Sequence, residues 1–104
     1  MPEPVIWSPR SEQDLLSILD YLSEKWDNKI ELKFIDCTDV LVRQISINPK
    51  QFPVIHKKKI IRKCVISKHN TLYYRECKDY VDILRIFDNR QEFSLLRFLT
   101  SQTR

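Results

Sequence analysis

The fold is decided first by residues 8–26, which read SPRSEQDLLSILDYLSEKW. Ser8 followed by Pro9 is typical of a helix start, because a serine hydroxyl caps free amides and proline suits the first turn. The apolar residues that follow fall at positions i, i+3, i+4, i+7 and i+11, which form one stripe: Leu15, Ile18, Leu19, Leu22 and Trp26. This spacing predicts an amphipathic helix of about four or five turns. We expect the carboxylates on its opposite face to be solvated: Glu12, Asp14, Asp20 and Glu24.

A second amphipathic stretch follows after a short break at Asp27-Asn28. Its apolar residues again keep a helical spacing: Ile30, Phe34, Cys37, Leu41 and Ile45. Asn48-Pro49 ends this stretch, because the residue before a proline is pushed out of the helical region. Two helices joined by so short a break predict an antiparallel helical hairpin.

The remaining segments have the composition of strands, rich in β-branched and aromatic residues. One short strand, residues 5–7, precedes the helices, and three more follow at residues 60–67, 72–76 and 80–87. Connections of hairpin length between the last three favour an antiparallel sheet, which the first strand joins and one face of which the helical hairpin covers. The sequence therefore predicts a single α+β domain over residues 1–104, in the order β-α-α-β-β-β. The tail, residues 91–104, is rich in apolar residues and is expected to be either helical or extended. It is expected either to pack back onto the domain or to bind a partner.

Composition excludes several classes of site. The 104 residues include no glycine, which phosphate-binding loops, dinucleotide fingerprints and nucleophile elbows require. The three cysteines, Cys37, Cys64 and Cys77, fit neither a disulfide framework nor a structural zinc spacing, so we expect reduced thiols, no metal and no cofactor. No charged-then-apolar leader and no apolar run of membrane-spanning length is visible, which indicates a cytoplasmic protein that makes no contact with a membrane.

Charge is distributed unevenly along the chain. Lysine and arginine number 18 against 14 acidic residues, but residues 50–75, hereafter the basic window, contain no acidic residue. Its basic side chains are Lys50, Lys57, Lys58, Lys59, Arg62, Lys63, Lys68 and Arg75. Such a run indicates a surface for phosphate groups or for an acidic protein.

Few residues suggest catalysis. His56 and His69 are the only side chains that titrate near neutral pH without perturbation, and both are expected in solvent-exposed loops. Arg85 lies inside an apolar strand, where its charge needs either a sheet edge or a salt bridge to Asp82 or Glu76. Tyr73, Tyr74 and Tyr80 alternate with basic residues, which suits base stacking in an RNA site and equally suits ordinary strands. From these residues alone, the protein is a basic α+β binding module.

The ordered set of motifs resembles the RelE/ParE family, the toxins of bacterial type II toxin–antitoxin modules. The resemblance covers nearly the whole chain and lies in Ser8-Pro9, Asp14-Leu15 to Tyr21-Leu22, Asn48-Pro49, Arg62-Lys63, Tyr73-Tyr74 and residues 83–90, ILRIFDNR. It implies a cytoplasmic toxin whose cognate antitoxin is acidic and partly disordered when free, and folds on binding.

The family contains two activities. RelE-like members cleave mRNA on the ribosome with lysines, arginines and a tyrosine near the C-terminus, whereas ParE-like members lack this set and poison DNA gyrase. Arg62 and Arg90 match two of the nuclease positions, but Cys64, Thr71 and Leu96 stand where a lysine, an arginine and the tyrosine are expected.

The resemblance therefore favours a ParE-like inhibitor of gyrase. Its target or antitoxin surface is expected to include Lys57, Lys58, Lys59, Arg62, Lys68, Tyr73, Arg75, Arg85 and Arg90. The first alternative is a ribosome-dependent endoribonuclease with Arg62, His69 and Arg90 at the scissile phosphate. The second is an inactive family member that only binds a partner.

Overall fold

A computed structural model describes residues 2–90 and 97–100. Within residues 2–90, two helices and five strands follow one another: β1 Val5–Trp7, α1 Pro9–Lys25, α2 Asn28–Ile47, β2 Val54–His56, β3 Ile61–Val65, β4 Asn70–Glu76 and β5 Val81–Asp88. The predicted α+β class and the order of a strand, two helices and then strands are confirmed.

The helical hairpin begins and ends where the capping residues predict. The Ser8 hydroxyl accepts a hydrogen bond from the Ser11 amide at 3.0 Å, and the Asp27 carboxylate accepts one from the Ile30 amide at 3.0 Å. Helix α2 ends at Ile47, and Asn48 is its C-terminal cap. Local chemistry therefore sets both helix starts, since each cap satisfies an amide that has no partner within the helix.

The sheet differs from the prediction in two respects. It has five strands in the order β1-β5-β4-β3-β2, and β1 pairs with β5 in parallel, so the sheet is mixed rather than wholly antiparallel. Strand β2 was not predicted. From β2 to β5, each strand pairs antiparallel with the next strand along the chain, and the parallel pair is the one that joins the first strand to the last.

Hydrophobic side chains cover both faces of the sheet. On the helical side, Phe34 and Ile45 of α2 pack with Leu72, Tyr74 and Ile83. Burying such a side chain stabilises the fold by about 1.5–3 kcal/mol. Within α1, the stripe from Leu15 to Leu22 packs against this cluster, whereas Trp26 at its end is exposed.

The opposite face of the sheet carries a second cluster, formed by Ile61, Tyr73, Leu84, Phe87 and Phe98. Phe98 belongs to the short helical segment at residues 97–100, so this part of the tail packs back onto the sheet. The rest of the predicted tail, residues 91–96 and 101–104, lies outside the described residues. None of the helices in the described part of the chain has the length and apolar character needed to cross a membrane.

Candidate functional site

Asp14 and Arg85 form an ion pair between α1 and β5. Arg85 Nε lies 2.7 Å from Asp14 Oδ2 and Arg85 Nη2 lies 3.0 Å from Asp14 Oδ1, with side chains only 19% and 16% exposed. Oδ2 also accepts a hydrogen bond from the Ile86 amide at 2.9 Å. Arg85 therefore pairs with neither of the carboxylates predicted from the sequence, and Asp14 is not on a solvated face.

Asp14 can reach Arg85 and the Ile86 amide because β1 is short. It pairs with residues 81–83 of β5 only, so the edge of β5 beyond Ile83 has no neighbouring strand. Helix α1 lies along that edge, and its side chains satisfy the backbone: the Ser8 hydroxyl donates to the Leu84 carbonyl, and Asp14 accepts from Ile86. Buried backbone groups need such partners, because leaving one unpaired costs as much as a lost hydrogen bond.

A groove of about 570 Å³ lies between α1 and this edge of β5. It combines exposed aromatic rings, charged groups of both signs and apolar side chains. Its lining includes Asp14, Ile18, Tyr21, Leu22, Trp26, His69, Arg85, Ile86, Asp88 and Arg90. A concave site with an apolar wall and a few converging polar groups is the usual form of a ligand or partner site.

Asp88 and Arg90 form an ion pair in the lining of the groove. The Arg90 guanidinium donates two hydrogen bonds to the Asp88 carboxylate, at 2.9 Å from Nε and 2.6 Å from Nη2. These bonds are the main reason that the pKa of Asp88 is lowered to about 2. The same pairing raises the pKa of Arg90. His69 is held near this ion pair, because its carbonyl accepts a hydrogen bond from the Asn89 amide at 2.7 Å.

Arg62 lies outside this groove and has a structural role. Its Nη1 donates to the Phe52 carbonyl at 2.7 Å and to the Lys50 carbonyl at 3.1 Å. Its Nε is buried without a hydrogen-bond partner in the described part of the chain. The Tyr74 hydroxyl donates to the Pro49 carbonyl at 2.6 Å, and burial is the main cause that raises the pKa of Tyr74 to about 12. Together these two side chains hold the segment that leads into β2.

Tyr73 and Arg75 lie on the sheet face opposite the helices. Tyr73 is only 5% exposed, and its ring packs against Phe87 and Phe98, with centroids 5.8 and 6.2 Å away. Burial raises the pKa of its hydroxyl. A base can therefore stack on this ring only if Phe98 moves. Arg75 lies 3.6 Å from Asp82, whose pKa is nevertheless raised because burial outweighs the arginine.

The lysines of the predicted surface lie in two turns. Lys57, Lys58 and Lys59 form the turn between β2 and β3, and Lys68 is exposed in the turn between β3 and β4. The prediction that His56 lies in a loop is wrong: it is the last residue of β2, where its Nδ1 accepts a hydrogen bond from the Lys59 amide at 3.1 Å. His69 is in an exposed turn, as expected.

The predicted site residues are thus distributed over several places. The groove contains His69, Arg85 and Arg90. The sequence patterns do not single out the groove residues Asp14, Tyr21, Trp26 and Asp88 as site residues. Trp26 was assigned to the core stripe, although it is 64% exposed. The only signal for Asp14 was the unexplained charge of Arg85, since these residues are 71 positions apart.

Two positions that differ from the nuclease pattern are buried. Cys64 is 1% exposed, and burial raises the pKa of its thiol to about 11, so it remains a neutral thiol at physiological pH. Thr71 is also buried, and its hydroxyl donates to Asn89 Oδ1 at 2.6 Å. Neither side chain supplies a cation to the surface. Leu96 lies outside the described residues.

Within residues 2–90 and 97–100, no three histidine, cysteine or carboxylate side chains lie close enough together to hold a metal ion. The polar side chains that line the groove include Arg85, Arg90, His69 and two carboxylates, Asp14 and Asp88.

Comparison with known proteins gives one family. The sequence model of a family described as the ParE toxin of the type II toxin–antitoxin system parDE matches residues 5–93. Among solved structures, a chain from the chromosomal ParDE toxin–antitoxin system of P. aeruginosa has a similar fold, with a TM-score of 0.64 and 17% sequence identity. The match covers 83% of this chain and 95% of that chain. No curated protein matches the sequence significantly.

Proposed function

Because the chain belongs to the ParE family of type II toxins, we propose that it is a non-enzymatic inhibitor of DNA gyrase that a cognate antitoxin neutralises. The expected site of action is the cytoplasm, where gyrase is found. The protein acts by binding, so its effect depends on an interaction surface and not on a reaction at a particular bond.

The observation that carries this proposal is that three of the nuclease positions offer no free cation. Arg62 is held by two backbone carbonyls, Cys64 is buried as a neutral thiol, and Thr71 donates its hydroxyl to Asn89. Cleavage of RNA needs groups that move protons and stabilise phosphate charge at the reacting atoms. These three residues do not offer such groups, which supports inhibition by binding.

The partner that neutralises the toxin is expected to be acidic. The basic window contains no carboxylate, and its exposed lysines lie in turns and on β3, with Lys63 on β3 and Lys68 in the turn that follows it. Complementary charge accelerates the encounter of two proteins and fixes their orientation. A partly disordered acidic antitoxin segment that folds along β3 would pair with Lys63 and Lys68.

The direct test is a supercoiling assay with purified gyrase and the purified toxin. We expect the toxin to abolish supercoiling and the antitoxin to restore it. Induced expression should stop growth, and if growth continues, the chain is an inactive member that only binds a partner. Cuts in ribosome-bound mRNA together with unaffected supercoiling would contradict the proposal.

The groove supports one other function, ribosome-dependent cleavage of mRNA. His69 and Arg90 line the same groove, together with the Tyr21 ring. An RNA nucleobase stacked on Tyr21 could therefore meet a proton acceptor and a cation there. If this function holds, Arg90→Ala should abolish cleavage in primer extension on ribosome-bound mRNA, while antitoxin affinity stays within about a few-fold.

Arg43→Ala is the matched control for this test, because Arg43 also forms an exposed ion pair, with Asp39, but lies on the helical hairpin. Cleavage that is unchanged in Arg90→Ala would remove Arg90 from the site.

A further inference from the structure

The turn between β2 and β3 presents three consecutive lysines, Lys57, Lys58 and Lys59, followed by Ile60. We call residues 57–60 the lysine turn. Lys57 and Lys58 are exposed, and Lys59 is half-buried. The turn joins the edge strand β2 to β3, so it forms the end of a two-stranded ribbon at the border of the sheet.

The lysine turn has a fixed and strained backbone. Ile60 has a φ of 51°, in the left-handed region, which is rare for a β-branched residue. Such a conformation is unfavourable and persists only where its surroundings impose it. The hydrogen bond from the Lys59 amide to His56 Nδ1 supplies part of this constraint. The lysine side chains therefore extend from a hydrogen-bonded turn.

The electrostatic setting of the turn differs from that of the arginines. Arg43, Arg75, Arg85 and Arg90 each lie within 4 Å of a carboxylate. Lys57 and Lys58 have no such partner among the described residues, and no acidic residue occurs anywhere in the basic window. Their charges are not neutralised within the described fold and are available to an external anion.

We propose that the lysine turn binds the phosphate backbone of duplex DNA, without sequence preference. This goes beyond the proposed function, which requires only protein partners. Lysine is depleted in the centres of protein–protein interfaces, where aromatic anchors dominate, and the turn offers only Ile60 as an apolar group. Lysine is a common phosphate ligand, and a two-stranded ribbon fits the major groove of B-form DNA, whereas the major groove of duplex RNA is too narrow.

The test measures binding of the full chain to a fluorescently labelled DNA duplex of about two helical turns by anisotropy, at increasing salt. Each phosphate contact contributes about 0.9 to the slope of log K against log salt. The triple variant Lys57→Gln/Lys58→Gln/Lys59→Gln should therefore reduce this slope by about two to three and the affinity at low salt by about ten-fold or more.

The matched control is Lys25→Gln/Lys29→Gln/Lys33→Gln, which removes the same charge from exposed lysines of the helical hairpin and should keep the native slope. If the triple variant does not fold, Lys58→Gln alone should lower the slope by about one. No measurable DNA binding by the native chain at low salt would overturn the proposal, as would equal slopes for the two triple variants.

Two further binding measurements identify which kind of polyanion the lysine turn prefers. Poly-L-glutamate that binds the same lysines more tightly than the DNA duplex would assign the turn to an acidic protein instead. A duplex RNA of the same length that binds more tightly would likewise overturn the assignment to DNA. Neither result would affect the supercoiling assay, so the two proposals fail independently.

Discussion

Asp14 receives three hydrogen bonds on one carboxylate, two from the Arg85 guanidinium and one from the Ile86 amide. The charge of Arg85 is also 4.4 Å from the centre of the Phe87 ring, which a cation favours. Asp14 therefore neutralises a half-buried charge and also completes the bonding of an open strand edge. Sequence periodicity assigns it to the polar side of a helix, and only the fold reveals its partner.

Asp14→Asn should destabilise the protein by about 2–4 kcal/mol, because it leaves Arg85 half-buried without a counter-charge. Urea unfolding of the isolated chain measures this change. The control is Asp39→Asn, which removes the partner of Arg43 from an ion pair with side chains 71% and 61% exposed, and should leave the free energy of unfolding nearly unchanged. Equal effects of the two substitutions would show that the Asp14–Arg85 pair contributes no more than a surface pair.

Asp88 should make stability depend on pH in the acidic range. Its pKa in the fold is about 2, below the unfolded value of about 3.9, because Arg90 hydrogen-bonds the charged form. Its contribution is therefore fully present above about pH 4 and is lost as pH falls through about 2. An NMR titration of the Asp88 carboxyl should show this pKa, and Arg90→Gln should raise it. A titration that Arg90→Gln leaves unchanged would contradict the assigned cause.

At the scale of secondary-structure elements, Ser8 connects helix α1 to the sheet. Its hydroxyl caps the helix at Ser11 and donates to the Leu84 carbonyl, and its amide donates to the Ile83 carbonyl. The cap was evident in the sequence, whereas the bond to a strand 76 residues away was not. Ser8 therefore fixes both the residue at which α1 begins and the position of α1 against β5.

Ser8→Ala should cost about 1–2 kcal/mol from the lost cap, with a further loss from the bond to Leu84. Asp27→Ala is the comparison, because Asp27 caps α2 through the Ile30 amide alone, at an exposed position. In thermal or urea unfolding, Ser8→Ala should be the more destabilising of the two. Similar losses would mean that the bond between Ser8 and Leu84 adds nothing to the cap.

Local signals in the sequence predict the helices well and the sheet only in part. Caps and apolar periodicity predict both helices because these interactions span only three or four residues. Strand β2 has just three residues, so its alternation is too short to detect. The parallel pairing of β1 with β5 has no local signal either, because the two strands are far apart in the chain. Arg85 was recognised as a charge that needed a partner, but the identity of that partner depended on β1 ending opposite Ile83.

For the molecule as a whole, charge is separated between the two halves of the fold. Residues 1–49, which form β1 and the helical hairpin, carry five basic and nine acidic side chains, whereas the basic window carries eight basic and none acidic. A partner of negative charge is therefore attracted to β2, β3 and their turns and repelled by the hairpin. This asymmetry orients an approaching partner before any contact forms.

The association of toxin and antitoxin should accordingly depend on salt and on exposed lysines of the basic window. Lys63 lies on β3 and Lys68 in the turn that follows, both exposed. Lys63→Gln/Lys68→Gln should lower the association rate constant by about three- to ten-fold at low salt, with a smaller effect on dissociation, because rim charges act mainly on encounter. Stopped-flow fluorescence at several salt concentrations measures both rates.

Lys29→Gln/Lys33→Gln is the matched control, since it removes the same charge from exposed positions on the acidic half of the molecule. Its association rate should stay close to the native rate, and raising the salt should reduce the difference between the two double variants, because exposed charges are screened beyond about 10 Å at moderate salt. If both double variants slow association equally, only the net charge matters. If neither does and the rate is insensitive to salt, the antitoxin binds through the apolar surfaces of the fold and the basic window serves another partner.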